Sequence, residues 1–148
     1  CLGLVNEPST SKEILSYVLN VTMPQLRFPS NVPRGAGTRD EWMRERDLQD
    51  GKMIRKVSVR WYRELKKAMK TALHETERFP DIPLFVMQAG NDLIVDKTSV
   101  KKWFNLLDIT NKYYKEFEGL YHEVLNEPEK NEVLAHMLAF VTLQRKML

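Results

Sequence analysis

Residues 83–90 read PLFVMQAG, a short and almost uninterrupted apolar run closed by Gly90. Such a run fits a strand buried on both faces of a parallel sheet, because helices cover both sides of these sheets. Residues 111–119, NKYYKEFEG, supply a second strand, in which Tyr113, Lys115 and Phe117 alternate with Tyr114, Glu116 and Glu118. Between the two, Asp96 is placed to cap a helix over about 97–107 whose Val100, Trp103, Phe104 and Leu107 form an inner face. That interval accommodates a crossover helix, so the segment reads as a βαβ unit with parallel strands. Farther on, Pro128 opens a terminal helix with Val133, Met137, Phe140 and Val141 on one face.

The preceding 80 residues have a different character. Ile14, Leu15, Val18, Leu19 and Val21 give residues 12–21 a helical face. Residues 24–37 hold three prolines and two glycines and read as a loop. EWMRERDL (41–48) is a short helix. A longer one spans 57–77, where Trp61, Leu65, Ala68, Met69, Ala72 and Leu73 recur at steps of three and four. The chain is therefore α/β in class, with a helical region over 1–80 and a βαβ unit plus C-terminal helix over 81–148.

Composition bounds the rest. With 148 residues, 43% hydrophobic and 29% charged, the chain suits one ordinary globular unit. A net charge of +3 permits an anionic partner without arguing for nucleic acid. The single Cys1 excludes an internal disulfide framework. No apolar run approaches the roughly 20 residues that span a bilayer, and no secretory signal is present, so a cytoplasmic protein is expected. Cys1 stands where a translated chain has Met, which places the expected start of translation upstream.

Histidine carries the chemistry. His122 falls in the loop after the second strand, and Asp92 lies two residues past Gly90, after the first. Both sit at carboxyl ends of neighbouring parallel strands, where open α/β sheets bind their ligands. A carboxylate that accepts from one imidazole nitrogen fixes the tautomer and leaves the other nitrogen free to act as a base for a hydroxyl nucleophile. His74 and His136 fall on helices and read as surface residues. Three scattered histidines and one cysteine give no metal spacing, and RGAGT (34–38) lacks the Lys-Ser/Thr of a phosphate loop, so neither metal nor cofactor is expected.

MQAGNDLIVD (87–96) followed by EGLYHEVLNEPE (118–129) resembles the C-terminal part of the monoglyceride lipase and lysophospholipase branch of the α/β-hydrolases. That family carries its triad acid on a Gly-x-x-Asp turn and its base on a Gly-x-x-His loop. The resemblance implies Asp92 as acid and His122 as base, in the order acid then histidine. Gly90-Asn-Asp is one residue shorter than the family spacing, and DGKM (50–53) stands where the family often has Asp-Pro-Leu. Asp96 matches a second family aspartate. The resemblance covers 81–148 well and extends loosely over 1–80, which would be the cap over the active site.

The same resemblance implies a G-x-S-x-G elbow on an earlier strand. Ser9, Ser11, Ser16, Ser30, Ser58 and Ser99 all lie outside such a setting, and Cys1-Leu-Gly-Leu looks like the exit from the strand after the nucleophile helix. The expectation is a C-terminal portion of a serine hydrolase acting on monoacyl lipid esters, inactive alone and completed by a missing N-terminal half. Two alternatives stand beside it. One is a non-catalytic fragment that pairs with another chain or itself; the other is a basic helical nucleic-acid binder, disfavoured because acids nearly balance bases. Arg60, Arg63, Lys66 or Lys67, and Lys70 form a basic stripe on the 57–77 helix. It reads as a solvated face or, more sharply, as a contact that makes the enzyme peripheral at an anionic membrane surface.

Overall fold

The computed structural model describes residues 2–52 and 54–146, and its frame is set by which backbone groups find partners. Helix α1 (Thr10–Thr22) is followed by strand β1 (Arg27–Pro29), helix α2 (Glu41–Gln49), strand β2 (Lys56–Ser58) and helix α3 (Val59–His74). Then come β3 (Leu84–Ala89), α4 (Lys97–Leu106), β4 (Lys112–Phe117) and α5 (Lys130–Arg145). Side-chain caps start three of the five helices: Asp40 accepts from the Met43 amide, Ser58 from Trp61, and Asp96 from Thr98 and Ser99. The Ser99 hydroxyl also donates to Asp96, and these bonds hold its carboxyl below the usual range against a smaller opposing effect of burial.

Strands β3 and β4 pair in parallel, from Leu84 opposite Lys112 to Ala89 opposite Phe117, with α4 as the crossover. Strand alternation then sorts the side chains. On one face Phe85 and Tyr113 stack against Phe140 of α5; on the other Tyr114 meets Phe104 of α4. The core of this half is Ala89, Phe117, Leu120, Val124 and Val133, with Met87 packed against it. One helix thus covers each face, as the apolar run requires. Burial is nevertheless complete only at Gln88 and Ala89, while Leu84 to Met87 stay half-exposed. Among the described residues this sheet has two strands, so each keeps one unpaired edge.

The N-terminal region departs further from the sequence pattern. Part of the expected 24–37 loop is β1, which pairs antiparallel with β2, Phe28 opposite Val57. Three-residue strands are too short for periodicity to reveal. The apolar stripe of α1 faces outward: Ile14, Leu15, Val18 and Val21 are all more than half exposed, and the one buried residue of the helix is Ser16. Helix α1 meets α3 through polar groups instead. Glu13 accepts from the Tyr62 hydroxyl at 2.5 Å and from Arg63 at 2.6 Å, and the Arg63 guanidinium lies 3.5 Å over the Tyr17 ring. Arg60 donates to Asn20, and Lys66 to Glu7. The Arg63 and Lys66 part of the expected basic stripe is therefore turned into α1 and its approach, while Arg60, Lys67 and Lys70 remain exposed. No helix of the described residues is long and apolar enough to cross a membrane.

Candidate active site

Two loops at the carboxyl ends of β3 and β4 are tied to each other by backbone. The Gly90 amide donates to the Phe117 carbonyl at 2.8 Å, and the Asn91 amide to Leu120 at 2.9 Å. Gly90 is there for room: a Cβ would lie 2.8 Å from the Phe117 carbonyl oxygen and 2.9 Å from Glu118 Cα, backbone atoms that cannot swing aside. Gly90→Ala is expected to cost about 1–3 kcal/mol through overpacking. Calorimetry of the purified chain checks this; an unchanged Tm would mean the loops part freely.

That tie sets Asp92 opposite His122. Asp92 Oδ1 accepts from the backbone amides of Ile94 and Val95, each at 2.9 Å, and Oδ2 lies 2.9 Å from His122 Nδ1. The Asp92 side chain is 4% exposed and that of His122 37%. Both carboxylate oxygens are thus engaged, and the acid is fixed from its own turn. With Nδ1 as the donor, the Nε2 lone pair of His122 points away from the carboxylate. The segment Leu2–Val5 runs alongside this turn, through Val5 N–H to Ile94 and Asp96 N–H to Gly3. Cys1, read as part of the same strand exit, lies outside the described residues. The other histidines stay apart: both are exposed, and His136 rests edge-on against Phe117.

The His122 loop is held from a second side, which the sequence did not announce. The Glu123 amide donates to the Gly37 carbonyl at 2.8 Å, and the Thr38 hydroxyl to the Asn126 carbonyl at 2.8 Å. Glu127 is fully buried, and its two oxygens accept from the Arg39 amide and Arg39 Nε, both at 2.6 Å. Arg39 also reaches Glu129. Burial alone would raise the Glu127 pKa; the bonds from Arg39, Thr38 and the Tyr121 amide outweigh it and hold the carboxyl below its ordinary value. Tyr121 immediately precedes His122, so a loop 88 residues upstream in sequence braces the imidazole through one buried ion. A glutamate before Pro128 carries no local sign of this role.

A groove of about 800 Å³ opens between residues 25–61 and the strand-end loops, reaching Ile94 and Glu123, near neighbours of Asp92 and His122 along the chain. Its apolar wall includes Val32, Leu48, Ile54, Val57 and Trp61. Trp61, one of the residues whose spacing marks α3, is 53% exposed and lines this space.

The arrangement of helices and strands recurs in solved structures of known proteins. The chain superposes on a crystal structure of Paleococcus ferrophilus monoacylglycerol lipase with a TM-score of 0.83 at 22% identity, covering 95% of this chain and 55% of that one. A soluble variant of monoglyceride lipase from Saccharomyces cerevisiae, solved with a substrate analogue, gives a TM-score of 0.71 at 18% identity, covering 90% and 49%. The fold is that of a partial α/β-hydrolase. The chain belongs to the family described as serine aminopeptidase, S33, whose model matches residues 3–129. It is also 48% identical over 140 residues to phospholipase YtpA of Bacillus subtilis (strain 168), covering 95% of this chain and 54% of that protein. The chain therefore spans about half the length of the relatives it matches.

Proposed function

We propose that this chain supplies the acid and the base of a serine hydrolase that cleaves the carboxylic ester of a single-chain lipid, a lysophospholipid or a monoglyceride. The observation that carries this reading is the 2.9 Å contact between His122 Nδ1 and an Asp92 carboxylate whose other oxygen is held by two backbone amides. The serine comes from a part of the protein outside these 148 residues, since the six serines present all lack the G-x-S-x-G setting. His122 Nε2 takes the hydroxyl proton as the serine oxygen attacks the ester carbonyl. It then returns a proton to the departing alcohol as the C–O bond breaks, leaving an acyl-enzyme that water hydrolyses by the same two proton transfers. Asp92 stabilises the imidazolium that forms at each stage. Residues 1–80 act as the cap, and residues 81–148 belong to the catalytic core. The names of the relatives, a phospholipase and two monoacylglycerol lipases, support the lipid assignment.

Exposure of the intact protein to a fluorophosphonate, followed by intact-mass spectrometry, tests this. One covalent adduct is expected on the intact protein, none on the isolated 148-residue chain, and a large loss of labelling rate in His122→Ala. Undiminished labelling of that variant would remove His122 from the mechanism.

A further inference from the structure

Among the described residues, the loop that carries His122 takes its polar ties to distant segments from two places, Asp92 and residues 37–39. The Glu123 amide donates to the Gly37 carbonyl, the Thr38 hydroxyl to the Asn126 carbonyl, and Arg39 gives both its amide and its Nε to Glu127. Thr38 Oγ1 in turn accepts from the Asp40 amide at 3.0 Å, and Asp40 caps α2, so these residues are fixed to the start of a helix. The two loops are in close contact. A Cβ at Gly37 would lie 2.9 Å from Glu123 Oε1, and Ala36, Thr38 and Glu127 are each 2% exposed or less. From Val32 to Thr38 the same stretch lines the groove. One loop therefore forms groove wall on one side and seats the candidate base on the other.

Asp92 constrains one atom of the ring. Its contact with Nδ1 selects the tautomer, but the place of Nε2 also depends on where the loop holds the rest of the residue, whose side chain is 37% exposed. A general base works only within about 2.6–3.2 Å of the hydroxyl it serves, so orientation without position is not enough. We propose that Arg39 and Thr38 are positioning residues for His122, seating its loop from the groove wall so that Nε2 meets the serine hydroxyl in register. The inference rests on the esterase reading above and adds a second, independent constraint on the base. Arg39 acts through Glu127, which also accepts from the amide of Tyr121 directly before His122. Thr38 acts through the Asn126 carbonyl, farther along the same loop. A displacement of this loop pivots the ring about its Asp92 contact and carries Nε2 away from the nucleophile, and misplacement by about 1 Å lowers a rate by up to about 100-fold.

The test is Arg39→Gln in the intact protein, assayed on a soluble ester well below the melting temperature of the variant. We expect kcat to fall by about 10–100-fold with KM within about twofold, because the contact serves the proton transfers and not substrate binding. Arg39→Lys should recover part of kcat, since an ammonium still pairs with Glu127 but lacks the planar fork. Nitrogen resonances of the His122 ring supply a readout that stability alone would not move, and they should shift or broaden in Arg39→Gln as the Asp92 contact becomes intermittent. A lower Tm with kcat and ring resonances as in the parent protein would make Arg39 a structural residue and overturn the proposal. Should Arg39→Gln fail to fold, Thr38→Val carries the same two measurements, with a several-fold loss of kcat expected and an unchanged kcat and spectrum overturning it. The resonances also separate this inference from the reading beneath it. If they move while the parent protein hydrolyses no ester, the positioning role stands and the esterase reading falls; if the parent protein is an active esterase and neither variant changes kcat, the reverse holds.

Discussion

Asp92→Asn in the intact protein is expected to lower kcat by about 10⁴-fold, by the template of the serine-hydrolase triad, with little change in stability. The asymmetry follows from how the carboxylate is shared. An asparagine can keep its carbonyl oxygen on the amides of Ile94 and Val95, which hold Asp92 Oδ1 at 2.9 Å, so the turn survives. Its amide group then faces His122 Nδ1, where Asp92 Oδ2 had accepted. Two donors cannot share that contact, so the imidazole takes the opposite tautomer and Nε2 carries the proton it should receive. Steady-state kinetics on a soluble ester measures the loss, and nitrogen chemical shifts of the His122 ring read the tautomer directly. Activity within a few-fold of the parent protein would mean that Asp92 is only a turn residue.

Glu127→Ala is expected to be the most destabilising single change away from the hydrophobic core. It leaves the Arg39 amide and Nε without their buried acceptor, and the half-exposed guanidinium with Glu129 as its remaining partner. Each donor left unsatisfied in this way costs about 1–3 kcal/mol. For a chain of this length that lowers Tm on the order of 10 °C. The same contact gives a pH signature. Because the folded pKa of Glu127 is held below its ordinary value, its contribution is complete above the unfolded carboxyl range, about pH 4.3, and is lost as pH falls through the lower folded value. The parent chain is therefore expected to lose stability in that acid window more steeply than Glu127→Gln, which has no carboxyl to protonate there. Denaturant melts at neutral and acid pH compare the two, and parallel curves would show that Glu127 carries no linked proton.

The two sites differ in how far sequence reached them. PLFVMQAG and NKYYKEFEG were legible because their patterns are local: a strand covered by α4 on one face and α5 on the other is apolar throughout, and one with a polar edge alternates. The Asp96 cap was legible for the same reason, as its partners Thr98 and Ser99 lie two and three residues away. Helix α1 was legible as a helix but not in its docking, since Ile14, Leu15, Val18 and Val21 form a proper apolar stripe yet the helix docks by Glu13 and Tyr17. Periodicity states which face is apolar, and the neighbouring element decides which face is covered. Part of the basic stripe on α3 is covered for the same reason, because Arg63 and Lys66 meet carboxylates about 50 and 59 positions away.

By itself the sequence determined the βαβ order, and with it the strand-end positions of Asp92 and His122, because chain connectivity and the handedness of crossovers leave parallel strands few arrangements. Only the tertiary structure decided that the two side chains meet at 2.9 Å and that Glu127 is buried against Arg39. Each of these is a contact between segments distant along the chain. Its geometry is set by packing at Å precision, which residue type and spacing do not encode.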